Sequence, residues 1–210
     1  LRKYDGDMKD PKILLRTNPQ IAWDMHKSSI DGDVVTFILR GMGAVRPPFR
    51  RGDQLAVKCK HGGQAYYFAG GDDIVFEDCL WTHQTRGVLR KGINNIRFTR
   101  CRIERLPAID GRVPFLASPG GGPQIGQPKD PDVSGVVVEE CHFVASGDDN
   151  LAIFNGIRPV VRKNYLADAF SRNALLRYCI DPVLEGNTVE NGSVSVSGEP
   201  RKALKTRKKK

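Results

Sequence analysis

IVFEDCLW (Ile74–Trp81) and, 22 residues further on, IRFTRCRI (Ile96–Ile103) are two copies of one pattern. VVVEECHF (Val136–Phe143), PVVRKNYL (Pro159–Leu166) and PVLEGNTV (Pro182–Val189) fall into the same register. The shared anchor is Cys79, Cys101, Cys141, Asn164 and Asn187, so the steps are 22, 40, 23 and 23 residues. Three residues before each anchor stand Phe76, Phe98, Val138, Val161 and Leu184; two after it stand Trp81, Ile103, Phe143, Leu166 and Val189. Charged or small residues lie between. Apolar–polar alternation broken by a turn and then resumed describes short strands, not helix.

A second strand follows in each copy: Val88-Leu89, Val113–Phe115, Leu151–Phe154, Ala174–Leu176 and Val194–Val196. Short strands at a fixed period of 22–23 residues mean that each copy is one turn of a solenoid. The expected fold is all-β, a right-handed single-stranded parallel β-helix. The long step contains one repeat plus an insertion of about 18 residues, assigned to the Pro/Gly-rich Ser118–Pro131. In a stacked column the cysteines read as small buried packing residues. The chain divides into a flanking segment 1–53, the β-helix 54–198 and a basic tail 199–210. Val34–Leu39 is the best strand of the first part, and Ala65–Phe68 contributes to an irregular first rung.

The formal net charge of +9 suggests nucleic acid until its distribution is examined. Arg201–Lys210 holds seven of the 33 basic residues and no acid, leaving 26 against 24 acidic residues in the rest. The tail reads as a disordered end, and neither a nucleic-acid nor a membrane partner is expected. The longest apolar run, Val34–Leu39, is far short of the roughly 20 residues of a membrane helix. Five cysteines without a C-x-x-C pair give neither a zinc site nor a complete disulfide framework. No phosphate-binding loop or dinucleotide fingerprint is present, so no cofactor or metal is expected.

Equivalent residues of adjacent rungs lie about 4.8 Å apart on one face. The phase between the anchor strand and the second strand reads Arg86-Gly87, Ile109–Gly111, Gly147–Asn150 and Ser171–Asn173. Asp149 and Arg172 both sit eight residues after their anchors, and Asp110 nine after its own. Asp110, Asp148 and Asp149 therefore form a candidate acidic cluster with Arg172 beside it. Crowded carboxylates suit glycoside hydrolysis: one has its pKa raised and protonates the leaving oxygen, while another activates water. Gly70–Asp73 repeats the Asp-Asp pair at another phase and reads as a turn. Asn150, Arg86 and His83 complete the candidate substrate-binding set. Glu104 and Asp168 are placed at the rim, His142 outward, and Trp23 and Tyr66-Tyr67 in packing. His26 and His61 lack partners at metal-ligand spacing.

The rungs resemble right-handed parallel β-helices of the pectin-lyase-like kind. Asp-Gly on one rung and Gly-Asp-Asp on the next is similar to the polygalacturonase-type glycosidases and to the β-helical galactosidases. The resemblance matches Asp110 to the isolated upstream aspartate, and Asp148 and Asp149 to the pair. The Gly-His-Gly of polygalacturonases is replaced by Phe170–Asn173, their later Arg-x-Lys is unmatched, and Ala108-Ile109 stands where Asn-Thr precedes the upstream acid. The resemblance implies a secreted or periplasmic glycoside hydrolase acting on a polysaccharide or glycoside, although no signal segment opens the chain. Two alternatives stand beside it. In a lyase the carboxylates would hold Ca²⁺ and Arg172 would abstract a proton. A non-catalytic, adhesin-type β-helix would bind an extended polymer on the same face.

Overall fold

The computed structural model describes residues 3–5, 12–14, 24–32, 34–40, 64–108, 111 and 113–197. It is a parallel β-solenoid of about six turns, and no helix occurs among the described residues. Each full turn contributes three strand positions, and three columns of inward side chains fill its centre. Phe76, Phe98, Val138, Val161 and Leu184 are register partners in one column. Trp81, Ile103, Phe143, Leu166 and Val189 form the second. Both are the columns that the repeat alignment sets out. The third runs Phe68, Leu89, Ile125, Ile153, Leu176 and Val196. Leu89, Phe98, Ile125, Val138, Phe143, Ile153, Val161 and Leu176 are completely buried, so the columns form a continuous apolar core.

The turn before each anchor explains why the pattern breaks there. Asp78, Arg100, Glu140, Lys163 and Gly186 all adopt φ between 50° and 59°. Only the last is glycine, so the other four accept an unfavourable left-handed conformation. What holds them is the next coil: the N–H groups of Asp78, Arg100, Glu140 and Lys163 donate to Thr99, Glu139, Arg162 and Glu185 carbonyls at 2.9–3.2 Å. A second corner stacks His83, Ala145, Asp168 and Asn191, again with positive φ. Gly70–Asp73 is likewise a bend, at a register irregularity within the long strand Tyr67–Glu77.

Asparagines at the anchor satisfy backbone groups that the turns leave over. The Cys141 N–H donates to Asn164 Oδ1 at 2.9 Å, and Asn164 Nδ2 donates to the Val138 carbonyl at 3.0 Å. Asn187 repeats this one coil later, accepting from the Asn164 N–H and donating to the Val161 carbonyl. The cysteine anchors Cys101 and Cys141 are buried, as expected for packing residues, while Cys79 and Cys179 are partly exposed.

One strand assignment is corrected. Val113–Phe115 carries no strand; Gln124–Ile125 takes that place, paired between Val88-Leu89 and Ala152-Ile153. The insertion also extends further than Ser118–Pro131. The link from Ile103 to Gln124 covers 104–123, where the preceding coil uses only 82–87. Gly120–Ile125 is buried in the solenoid wall, so the Pro/Gly-rich stretch is not a protruding loop. Upstream, Val34–Arg40 pairs with Asp24–Asp31 as an antiparallel hairpin. Residues 51–63 and the basic tail lie outside the described residues.

Candidate functional site

Four links, each leading into a strand of one sheet, meet at a single edge. They carry Arg86 ahead of Val88–Thr99, Gly120–Gly122 ahead of Gln124–Ile125, Asp148-Asp149 ahead of Ala152–Phe154, and Arg172 ahead of Ala174–Arg177. A cleft of about 220 Å³ opens there, lined by all of these residues. Alternation along the strands supplies its floor. Ile153, Ala174 and Leu176 point inward, so Ala152, Phe154, Leu175 and Arg177 face the cleft, next to Gln124.

The approach of Gly120–Gly122 to the acidic link depends on missing side chains. A Cβ on Gly122 would stand 1.8 Å from the Asn150 carbonyl oxygen. Without one, the Gly122 N–H donates to the Asp149 carbonyl at 2.9 Å, and the glycine run becomes one wall of the cleft.

Asp149 and Arg172 are in phase on adjacent coils, as their equal offsets require, and they meet bidentately. Arg172 Nε donates to Asp149 Oδ1 at 2.7 Å and Nη2 donates to Oδ2 at 3.1 Å. Burial nevertheless pushes the Asp149 carboxyl above the ordinary carboxylate range, because desolvation outweighs the pull of Arg172. The charge of Asp148 adds to the upward push. The Asp148 side chain is more open, and its Oδ2 lies 3.9 Å from Arg86 Nη2. Arg86 is held across the cleft by donating from Nη1 to Gln124 Oε1 at 2.7 Å.

The remaining candidates separate clearly. Asp110 lies outside the described residues, and the stretch bonded beside Asp149 on the preceding coil is Gly122. Counting from an anchor fixes phase only while the intervening link keeps its usual length, and 104–123 does not. Asn150 is corrected: it is 0% exposed and belongs to the wall, not to a substrate surface. Its Oδ1 accepts from the Ser146 N–H, and its Nδ2 donates to the Ala167 carbonyl and to Asn173 Oδ1. Asn173 continues the ladder to the Glu190 carbonyl. His83 is a corner residue that accepts from the Leu106 N–H at 3.4 Å and does not line the cleft. Glu104 pairs with Arg102, and Asp168 accepts from Asn191; neither lines it either. Tyr66 packs into an aromatic cluster with Phe76 and Trp81.

Gln124, Phe154, Leu175 and Arg177 are cleft residues that the repeat analysis does not single out. The available signal was alternation: once Ile153 and Leu176 face inward, their neighbours face the cleft. Offset gives a second signal, since Asp149 and Arg172 stand eight residues after their anchors and Asn150 and Asn173 nine. Adjacent offsets face opposite ways. Asn150→Ala is expected to cost about 1–3 kcal/mol, because the buried Ser146 N–H loses its acceptor, while the Ala167 carbonyl keeps the Ala145 N–H. Urea unfolding checks this; an unchanged midpoint would show that the ladder carries no load.

Comparison with known protein families, curated proteins and solved structures finds no match to this chain.

Proposed function

We propose that this chain is a carbohydrate-active β-solenoid that binds a polysaccharide or glycoside in the Asp148/Asp149 cleft and hydrolyses it. One observation carries the reading: two neighbouring carboxylates share a cleft but not an environment. Asp149 is withdrawn from water with its pKa raised, which suits a group that must hold a proton until the leaving oxygen needs it. Its Oδ2 makes the longer contact with Arg172, so that oxygen is the better placed to carry the proton. Asp148, on the open side, is placed to accept a proton from an attacking water. Asp110 joins the proposal as the upstream acid that the polygalacturonase-type resemblance implies.

Cleft composition suggests the substrate class. Phe154 and Pro128, both partly exposed in the cleft, offer apolar surface to the C–H face of a sugar ring. Arg86, Arg172 and Arg177 outnumber the two carboxylates, and Arg177 forms no ion pair among the described residues. This surplus favours acidic glycans over neutral ones. The lyase alternative is less well supported, because Arg172 commits both Nε and Nη2 to Asp149 and is poorly placed as a base.

The test is to incubate the protein with neutral and acidic polysaccharides and aryl glycosides, following new reducing ends and ultraviolet absorbance. Hydrolysis yields reducing ends without an unsaturated product, and acidic substrates are cleaved faster. Unsaturated product would move the assignment to a lyase. Retention of the polymer with no cleavage would leave a binding face without chemistry.

A further inference from the structure

Cys79, Cys101 and Cys141 occupy one point on three successive coils. Register on both sides fixes this: Glu77 pairs with Thr99 and Leu80 with Arg102, while Thr99 pairs with Glu139 and Arg102 with His142. The Arg102 N–H donates to the Cys79 carbonyl at 2.8 Å, and the His142 N–H donates to the Cys101 carbonyl at 2.9 Å. In-register neighbours lie about 4.8 Å apart. That is inside the Cα separation of roughly 4.4–6.8 Å that a disulfide requires.

The three thiols differ in access and acidity. Cys79 is partly exposed, whereas Cys101 and Cys141 are buried. Cys101 sits between two thiols able to donate to it, and the hydrogen bond from Cys141 above all, with Cys79 and nearby backbone, holds its pKa below the ordinary thiol value. Burial and the neighbouring Cys101 push the Cys79 thiol up, and Cys141 is pushed up as the donor to Cys101. The column thus has an outer thiol that a reagent can reach and, one coil away in the same register, an inner thiol beside it.

We propose that Cys79 and Cys101 are a modification site that forms a reversible inter-coil disulfide, with a small-molecule disulfide such as glutathione disulfide as the oxidant. Cys79 gives up its proton and attacks one sulfur of the reagent as the thiolate, breaking its S–S bond, and the displaced thiolate takes up a proton and leaves as one thiol. The Cys101 thiolate then attacks Cys79 Sγ in the mixed disulfide and displaces the second thiol. Two protons and two electrons pass from the protein pair to the reagent, which leaves as two thiols. The product closes residues 79–101 into a loop that carries Arg86, one wall of the cleft.

Incubating the folded full chain with glutathione disulfide, then digesting it with trypsin without reduction, tests the proposal. The expected product joins the peptide His61–Arg86 to Cys101-Arg102 with the loss of two hydrogen atoms. Thermal unfolding of the oxidised chain should rise by about 6–12 °C and return on reduction. Cys79→Ser should abolish the cross-link and leave Cys101 a free thiol. The proposal is overturned if all three cysteines stay reduced under conditions that oxidise dithiothreitol. It is equally overturned if Cys79 pairs with Cys59, or Cys101 with Cys141.

Discussion

Under the proposed hydrolytic reading, Asp149→Asn is expected to lower turnover by about 10²–10⁴-fold, the usual contribution of a positioned acid or base. The substitution keeps the shape of the side chain and one oxygen for Arg172, so the fold should persist, while the proton for the leaving oxygen is lost. Its pH behaviour gives a second readout. A carboxyl raised in the folded state binds its proton more tightly there than in the unfolded chain. Its contribution to stability is therefore complete below about pH 3.9, the unfolded value, and is lost as pH rises through the raised folded value. Asp149→Asn should remove that slope, and the alkaline limb of the activity profile should disappear with it. Kinetics on the best substrate and unfolding curves at several pH values check both. Full turnover in the variant would remove Asp149 from the chemistry.

Phe98→Ala is the substitution expected to cost the fold most, about 3–5 kcal/mol. Phe98 is completely buried, and its ring stacks on Phe76 at 4.6 Å between centroids with 13° between planes. Its column neighbour on the other side is Val138. A solenoid coil contacts only the coils above and below it, so a cavity here weakens both interfaces at once. For a chain of this size the cost corresponds to a drop of about 6–20 °C in thermal midpoint. Phe98→Leu, which keeps much of the volume, should cost less than half as much. Calorimetry decides between these values, and a change below about 1 kcal/mol would mean that the column is not continuous at this point.

The site was only partly legible in the sequence. Asp149 and Arg172 are legible because both coils between Cys141 and Asn187 have standard length, so equal offsets become adjacent positions. Arg86 and Asp148 follow from the same phase. Asn150 is one residue from Asp149, and the alternation that exposes one buries the other. Offset alone does not reveal which of the two faces outward. The third wall was not legible. The long 104–123 link uncouples phase from residue count, and Gly120–Gly122 reaches the site only through backbone hydrogen bonds to the next coil.

The sequence by itself determined the solenoid: its period, two of its inward columns and the turn before each anchor. Stacking places like residues on like, so a periodic pattern records directly which side chains are buried. Only the tertiary structure decided which segment fills the irregular coil, which side of each link faces the cleft, and how charge balances there. Those outcomes depend on hydrogen bonds and desolvation between residues far apart in the chain. A periodic sequence specifies neighbours one coil away; it does not specify how far water is excluded from Asp149 or that Arg172 closes onto it.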